Sequence, residues 1–177
     1  MGLDSVMINL GVVFIQLVIS LAVAMGSVYL GLKLFDRMTE NLDEIEELKK
    51  GNVAVAILLG AVIFSIANVV EGGVTALMQS ITPGLTFPVM ATAAIIGVAN
   101  LVISIILAIF TIYISLSILD KITVGIDEFK ELKKGNVAIA IVMAAVLFAV
   151  SFVMRGAVAS MSASLSPENI AAALGLY

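Results

Sequence analysis

Only two charged residues stand inside the long apolar stretches of this chain, Glu71 and Arg155. A charge at the centre of a bilayer costs roughly 2.5–3.5 kcal/mol on insertion scales, so such groups pair or line a wet cavity. A carboxylate and a guanidinium at one depth could form an ion pair, within one chain or between neighbours, or could relay ions. The remaining repertoire is thin. There is no cysteine and no histidine, which removes thiolate nucleophiles, disulfides, the usual zinc ligands and imidazole acid–base chemistry. No phosphate loop, metal-ligand spacing or nucleophile–base pair is present. Lone serines in apolar runs are expected to pack. The expectation is therefore no enzymatic activity, no metal and no cofactor.

Other polar side chains sit near the two charges. Gln16 precedes Lys33 by 17 positions, and Glu71 follows Asn52 by 19, which puts both far from the charged connectors. With Asn68, Asn100, Ser20 and Ser104 they would form a polar layer in one half of the bilayer. Ser65, Asn68, Glu71 and Thr75 share about a third of a helix circumference. Gln16, Ser20, Ser27 and Gly31 form one narrow stripe, and Asn100, Ser104, Thr111 and Ser115 form another. Such stripes suit close helix packing in lipid. Three roles stay open for the layer: glue between the halves, the lining of an aqueous or ion pathway, or a surface turned to a neighbouring subunit or to headgroups.

The elements that must hold these groups follow from composition. Hydrophobic residues make up 62% of the 177 positions and charged residues 12%, against about 25% charged in a soluble domain. Mean hydropathy is +1.20. One water-soluble core could not hide this much apolar surface, so the solvent is lipid. Four spans are expected, at residues 6–35, 53–80, 89–119 and 137–161. Residues 82–88, with two prolines and a glycine, break the helix between the second and third. The start, Met1-Gly2-Leu3-Asp4-Ser5, lacks the positive region of a secretory signal, so the first stretch is expected to remain as a span. The net charge of −4 and the lack of a basic stripe give no sign of nucleic-acid binding.

Each pair of spans is joined by a charged connector, residues 36–50 and 120–134. In the first, Met38, Leu42, Ile45 and Leu48 share a helical face, Asn41 and Glu44 form a capping-box pattern, and Gly51 suits the stop. In the second, Ile126, Phe129 and Leu132 are expected to turn inward. Two amphipathic helices at the membrane surface are predicted, the plainer alternative being solvated loops with helix-like spacing. The tail, residues 162–177, starts with Ser166-Pro167-Glu168, the opening of a short capped helix that could rest in the interface.

The halves are copies. Lys49, Lys50, Gly51 and Asn52 return as Lys133, Lys134, Gly135 and Asn136, a constant shift of 84 that also maps Gln16 onto Asn100, Ser20 onto Ser104 and Glu71 onto Arg155. Repeat 1 is residues 1–84 and repeat 2 is residues 85–161. Two spans separate the connectors, so both lie on one side and the repeats are parallel, expected to relate by a pseudo-two-fold axis along the membrane normal. The fold class is all-α, a polytopic membrane protein with two tandem repeats of span, surface helix and span. Lys33, Arg37, Lys49, Lys50, Lys121, Lys130, Lys133 and Lys134 all flank the connector side, which predicts cytoplasmic connectors and both termini outside.

The stretches Glu47 to Ala56 and Glu131 to Ala140, each opening on Glu-Leu-Lys-Lys-Gly-Asn-Val-Ala, resemble the prokaryotic inner-membrane proteins grouped as domain of unknown function 350, the YjfL-type proteins, which often carry this unit in tandem. The resemblance implies a prokaryotic cell membrane and this topology, and no catalytic role. Two main functions compete. One is an oligomeric scaffold or assembly subunit, a homo-oligomer or part of a membrane complex, offering its connectors to a cytoplasmic protein or to lipid. The other is a channel or transporter subunit with the polar layer as constriction. A rotor-type proteolipid shares the four spans and the carboxylate, but here an arginine holds the matching site and the dense glycine pattern is missing. An intramembrane enzyme is the last class.

Overall fold

The computed structural model describes residues 3–39, 42–79, 87–166, 169, 172, 173 and 175. Six helices follow one another: α1 (Leu3–Met38), α2 (Glu44–Lys49), α3 (Val53–Gln79), α4 (Phe87–Ile122), α5 (Glu128–Lys133) and α6 (Val137–Ser164). Among the described residues there is no strand. The protein is an all-helical membrane protein with α1, α3, α4 and α6 long and apolar enough to cross a bilayer.

The bundle is built round α3, which packs against α6, α4 and α1, while α4 also packs against α6 and touches α1. α3 is buried along most of its length and α1 hardly at all. The core gathers Val55, Leu58, Val62, Ile66 and Val69 of α3 with Ile112 and Leu119 of α4, Met143 and Leu147 of α6 and Phe35 of α1. Close approach of α3 to α4 is possible because Gly73 and Gly97 face the partner helix. A Cβ on Gly73 would overlap Ser104 Oγ and come 2.9 Å from Leu101 Cα, and one on Gly97 would come 2.9 Å from Leu77 Cα. Hydroxyls of the predicted stripes turn back on their own helices: Ser27 donates to the Val23 carbonyl, Ser104 to Asn100, Thr111 to Leu107 and Ser115 to Thr111. They act as small packing residues, since each hydroxyl is already satisfied at home.

The repeated Lys-Lys-Gly-Asn is a turn, and its chemistry is structural. Gly51 and Gly135 take φ of +78° and +79°. Gly51 N–H donates to the Leu48 carbonyl and Asn52 N–H to Glu47, and the same pair recurs from Gly135 to Leu132 and Asn136 to Glu131. That is a Schellman stop, which needs the left-handed conformation that glycine alone adopts freely. The asparagine then starts the next helix. Asn52 Oδ1 accepts from Ala54 and Val55 N–H, and Asn136 Oδ1 from Ile139 N–H. One residue thus ends the surface helix and caps the span.

The connectors differ from expectation. α1 and α4 run on to Met38 and Ile122, so the surface helices are only Glu44–Lys49 and Glu128–Lys133 instead of residues 36–50 and 120–134. Asp43 and Asp127 are their N-caps, accepting from Glu46 and Lys130 N–H. Asn41, the predicted cap, lies outside the described residues. With only six residues each, the surface helices cannot present one continuous apolar face. Leu42 and Leu132 are buried, but Ile45, Leu48 and Ile126 are exposed. The first span also starts earlier than residue 6, and α6 extends to Ser164, past residue 161. The helix break at residues 82–86 lies outside the described residues, while Pro88 stands in the first turn of α4, where its missing N–H costs nothing. In the tail, Ser166 Oγ accepts from Asn169 N–H at 3.4 Å, while Pro167 and Glu168 lie outside the described residues.

Candidate functional site

The strongest candidate is the polar cluster where α3 meets α6. Glu71 lies 18 residues past Val53 on α3, roughly 27 Å along the helix at 1.5 Å per residue. That places it in the far third of a hydrocarbon layer of about 30 Å. Arg155 Nη2 stands 3.1 Å from Glu71 Oε2, and its Nη1 donates to Asn68 Oδ1 at 3.2 Å. Asn68 Nδ2 donates in turn to Ser151 Oγ at 3.2 Å, and the Ser151 hydroxyl donates to the Phe148 carbonyl at 2.9 Å. One turn farther out, Ser162 Oγ donates to the Gly72 carbonyl at 3.4 Å. The chain of donors and acceptors joins α3 to α6 and leaves each amide and hydroxyl in it with a partner. Ser151 is buried, yet the Glu71 and Arg155 side chains remain about half exposed, at 53% and 45%.

The polar residues read from sequence do not form one continuous layer. Asn68, Glu71 and Arg155 meet on the α6 flank of α3. Gln16 reaches α3 from the opposite helix, donating to the Met78 carbonyl at 3.1 Å. Ser20 lines a cleft of about 490 Å³ between α1 and α3, with Leu17, Leu21, Val70, Glu71 and Val74 also in its wall. Asn100 and Ser104 are buried on yet another flank, against Gly73. Helix α3 therefore separates them from the ion pair. Among the described residues, Ser65 Oγ and Asn100 Oδ1 are buried with no hydrogen-bond partner.

A second polar junction fixes the connector side. Asn52 Nδ2 donates both to Glu47 Oε2 and, across the repeats, to the Leu132 carbonyl, each at 2.8 Å. Lys50 Nζ donates to Glu47 Oε1 at 2.9 Å. The Asn52 amide and the Lys50 ammonium hold the Glu47 carboxyl below its ordinary range, and Glu47 with Glu46 raises Lys50. In repeat 2 Lys134 and Asn136 lower Glu131 in the same way. Thr39 donates to Glu44, and Thr123 to Glu128. This threonine–glutamate pair, with its spacing of five retained in both halves, is a signal that sequence inspection could have used. Lys133 lies beside Asp127, Phe129 and Lys130 in a shallow groove. Lys49 ends α2 as the basic residue of its last turn.

These arrangements can hold two repeats in register at both ends of the bundle. Among the described residues no group of three or more acidic side chains comes together as a metal cage. The sequence profile of the family described as Domain of Unknown Function (DUF350) matches residues 7–108 and again residues 90–176.

The chain belongs to the DUF350 family, with the domain in tandem. No curated protein and no solved structure matches it. The two matches overlap on α4, so the first extends beyond the 84-residue shift into the next hairpin. In this DUF350 chain α4 packs against α3 of the first repeat and α6 of the second.

Proposed function

We propose that this DUF350 protein is a non-enzymatic, oligomeric membrane scaffold or assembly subunit of a prokaryotic cell membrane, with its connectors in the cytoplasm. The observation that carries the reading is the connector surface. Ile45, Leu48, Val124 and Ile126 are exposed there, although the Asn52–Leu132 clasp ties the two connectors into one surface. Apolar side chains on a charged, lysine-flanked surface suit a protein partner or the headgroup boundary. The lysine and arginine bias favours the cytoplasm for that side.

Two features weigh against a conducting pathway. Asn68, Glu71, Ser151 and Arg155 are spent on one another, Ser27, Ser104, Thr111 and Ser115 on their own helices, and α3 stands between Asn100 and the ion pair. The cleft beside Glu71 has mostly apolar walls. The test is a pair of substitutions, Ile45→Glu and Ile126→Glu, in cells with membrane cross-linking and affinity capture. Loss of the cross-linked assemblies, with the protein still inserted, supports the reading. Unchanged assemblies remove the connector surface from it. Since the chain has no native cysteine, single cysteines at Lys49 and Asn169 report the topology by labelling from each side.

A further inference from the structure

The two repeats touch in a way that leaves half of the contact unused. Repeat-equivalent residues face one another along the α3–α6 seam: Phe64 with Phe148 at 4.9 Å between ring centroids, Glu71 with Arg155, and Thr75 and Gln79 with Ala159 and Ala163 across one pocket. Around those points, however, α3 and α6 use different flanks. α3 offers Asn68 and Gly72, while α6 offers Ser151 and Val158. An exact two-fold would use the same positions on both helices. The helices around that seam are used unequally: α4 packs closely on α3, while its counterpart, α1 on α6, is nearly absent, so the contact is largely head to tail, and such a contact stays open at both ends unless a further copy closes it.

The unused ends can be read off the shift of 84. Gly72 is the seat for Val158, whose Cγ1 would lie 2.6 Å from a Cβ at that position. The equivalent seat on α6 is Gly156, which has nothing within 4 Å. The equivalent of Val158 is Val74, which lines the open cleft between α1 and α3. The same identities, glycine facing valine, thus occur once filled and once vacant. The cleft tells the same story from its other wall. Ser20 and Ala24 line it half-buried, whereas their equivalents Ser104 and Ala108 are completely covered in repeat 2.

We propose that the protein self-associates head to tail. The Gly156 flank of α6 in one copy seats Val74 in the α1–α3 cleft of the next, in the manner that α3 seats α6 within one chain. The proposal rests on the oligomeric reading above and names its interface. Charge complementarity supports it. Glu71 and Arg155 are each about half exposed after pairing with one another. In the repeated contact Arg155 of one copy comes beside Glu71 of the following copy, so every carboxylate lies between two guanidiniums at one depth. Phe152, exposed on α6, falls opposite the small Ala67 of the next α3. The α3–α4 seam has no close copy: Ala157 replaces Gly73 and Val13 replaces Gly97, so the neighbour's α1 cannot approach α6 as closely as α4 approaches α3.

The test uses the cysteine-free chain with two tags, V74C on one copy and G156C on the other, co-expressed and oxidised in membranes. The expected product is a covalent dimer carrying both tags, absent from either variant alone. One chain with both substitutions should give a ladder or a closed ring. Disulfides within V74C alone or G156C alone would mean a symmetric interface and overturn the proposal. An oligomer by nanodisc mass measurement with no mixed disulfide would overturn it while leaving the oligomeric reading standing. A monomer by mass would end both. G156L gives an independent arm. The site is open space in the single chain, so the monomer should fold, and the mass should drop to one chain. A G156L protein that keeps the parental oligomer mass refutes the interface.

Discussion

Exchanging the charges at positions 71 and 155 tests whether the pair joins the repeats. In E71R two guanidiniums would face each other where the present groups stand 3.1 Å apart. Like charges at about 4 Å repel by roughly 4 kcal/mol at an effective dielectric of 20. Both side chains are half exposed, so screening should cut this to on the order of 2 kcal/mol. An unpaired charge near the edge of the hydrocarbon adds about 1 kcal/mol, less than at the bilayer centre. The sum, about 3 kcal/mol, corresponds to a Tm drop of roughly 6–12 °C for a chain of this length. R155E should lose a similar amount, and also strips Asn68 Oδ1 of its donor. The double swap E71R/R155E should recover most of the loss, because Asn68 lies three residues before position 71 on the same helix and stays within reach of a guanidinium there. The assay is the fraction of monodisperse protein left after heating in detergent, for all four proteins. If both single reversals melt within about 1 °C of the parent, the pair does not hold the repeats together. If the double swap is no better than the singles, their effects are independent and the pairing argument fails.

Gly73→Ala should be destabilising by about 1–3 kcal/mol, because its Cβ meets Ser104 and the Leu101 backbone. Gly11→Ala, where nothing lies within 4 Å, should be neutral or better, and equal Tm values for the two would contradict the tight α3–α4 seam. Asn52→Ala removes a helix cap and the clasp to Leu132, a loss of about 1–2 kcal/mol. Asn136→Ala should cost less, since Asn136 caps its helix and donates to Glu131 within its own repeat. Urea midpoints that order the two the other way would refute this. The connectors should loosen at both extremes of pH. Glu47 and Glu131 are lowered in the fold, so their contribution is complete above the unfolded value of about 4.3 and fades as pH falls through the folded values. Lys50 and Lys134 are raised, so theirs is complete below about 10.4 and fades as pH rises beyond it. Hydrogen exchange at the Gly51 and Asn52 amides, corrected for intrinsic rates, should show flat protection between these limits. A transition near pH 7 would point to another group.

Much of the architecture was legible because its signals are local or doubled. Four long apolar runs set the spans, and Gly51 and Gly135 mark where the surface helices stop. The shift of 84 showed that the halves run parallel and that Glu71 corresponds to Arg155. Less legible were features set by helix rotation. The spacing of Met38, Leu42, Ile45 and Leu48 suggested one shared face, but a helix that begins only at Glu44 leaves Leu42 buried and Ile45 and Leu48 exposed, and Ile126, expected to turn inward, is exposed as well. Asn100 and Glu71 share a depth, yet α3 stands between them, because depth follows from counting residues and flank does not. Gly72, Gly73 and Ser151 carry the seam between helices without any distinguishing pattern, since small residues are scattered through all four spans.

The tandem arrangement itself has a physical consequence at the ion pair. In an assembly of identical single repeats, the position of Glu71 would meet its own copy, and two carboxylates would repel inside the membrane. Joining two repeats in one chain lets equivalent positions differ, and here they differ in sign. A neutral pair then replaces a like-charge contact within the hydrocarbon, where uncompensated charge is costly. Phe64 and Phe148, also equivalent positions in contact, are identical, and their two rings attract. The duplicated chain thus keeps identity where self-contact is favourable and changes residue where it is not. By that logic, reverting only the charge difference, with R155E in the intact tandem, should weaken the α3–α6 contact. R155Q removes the repulsion but not the packing, and should fall between R155E and the parent.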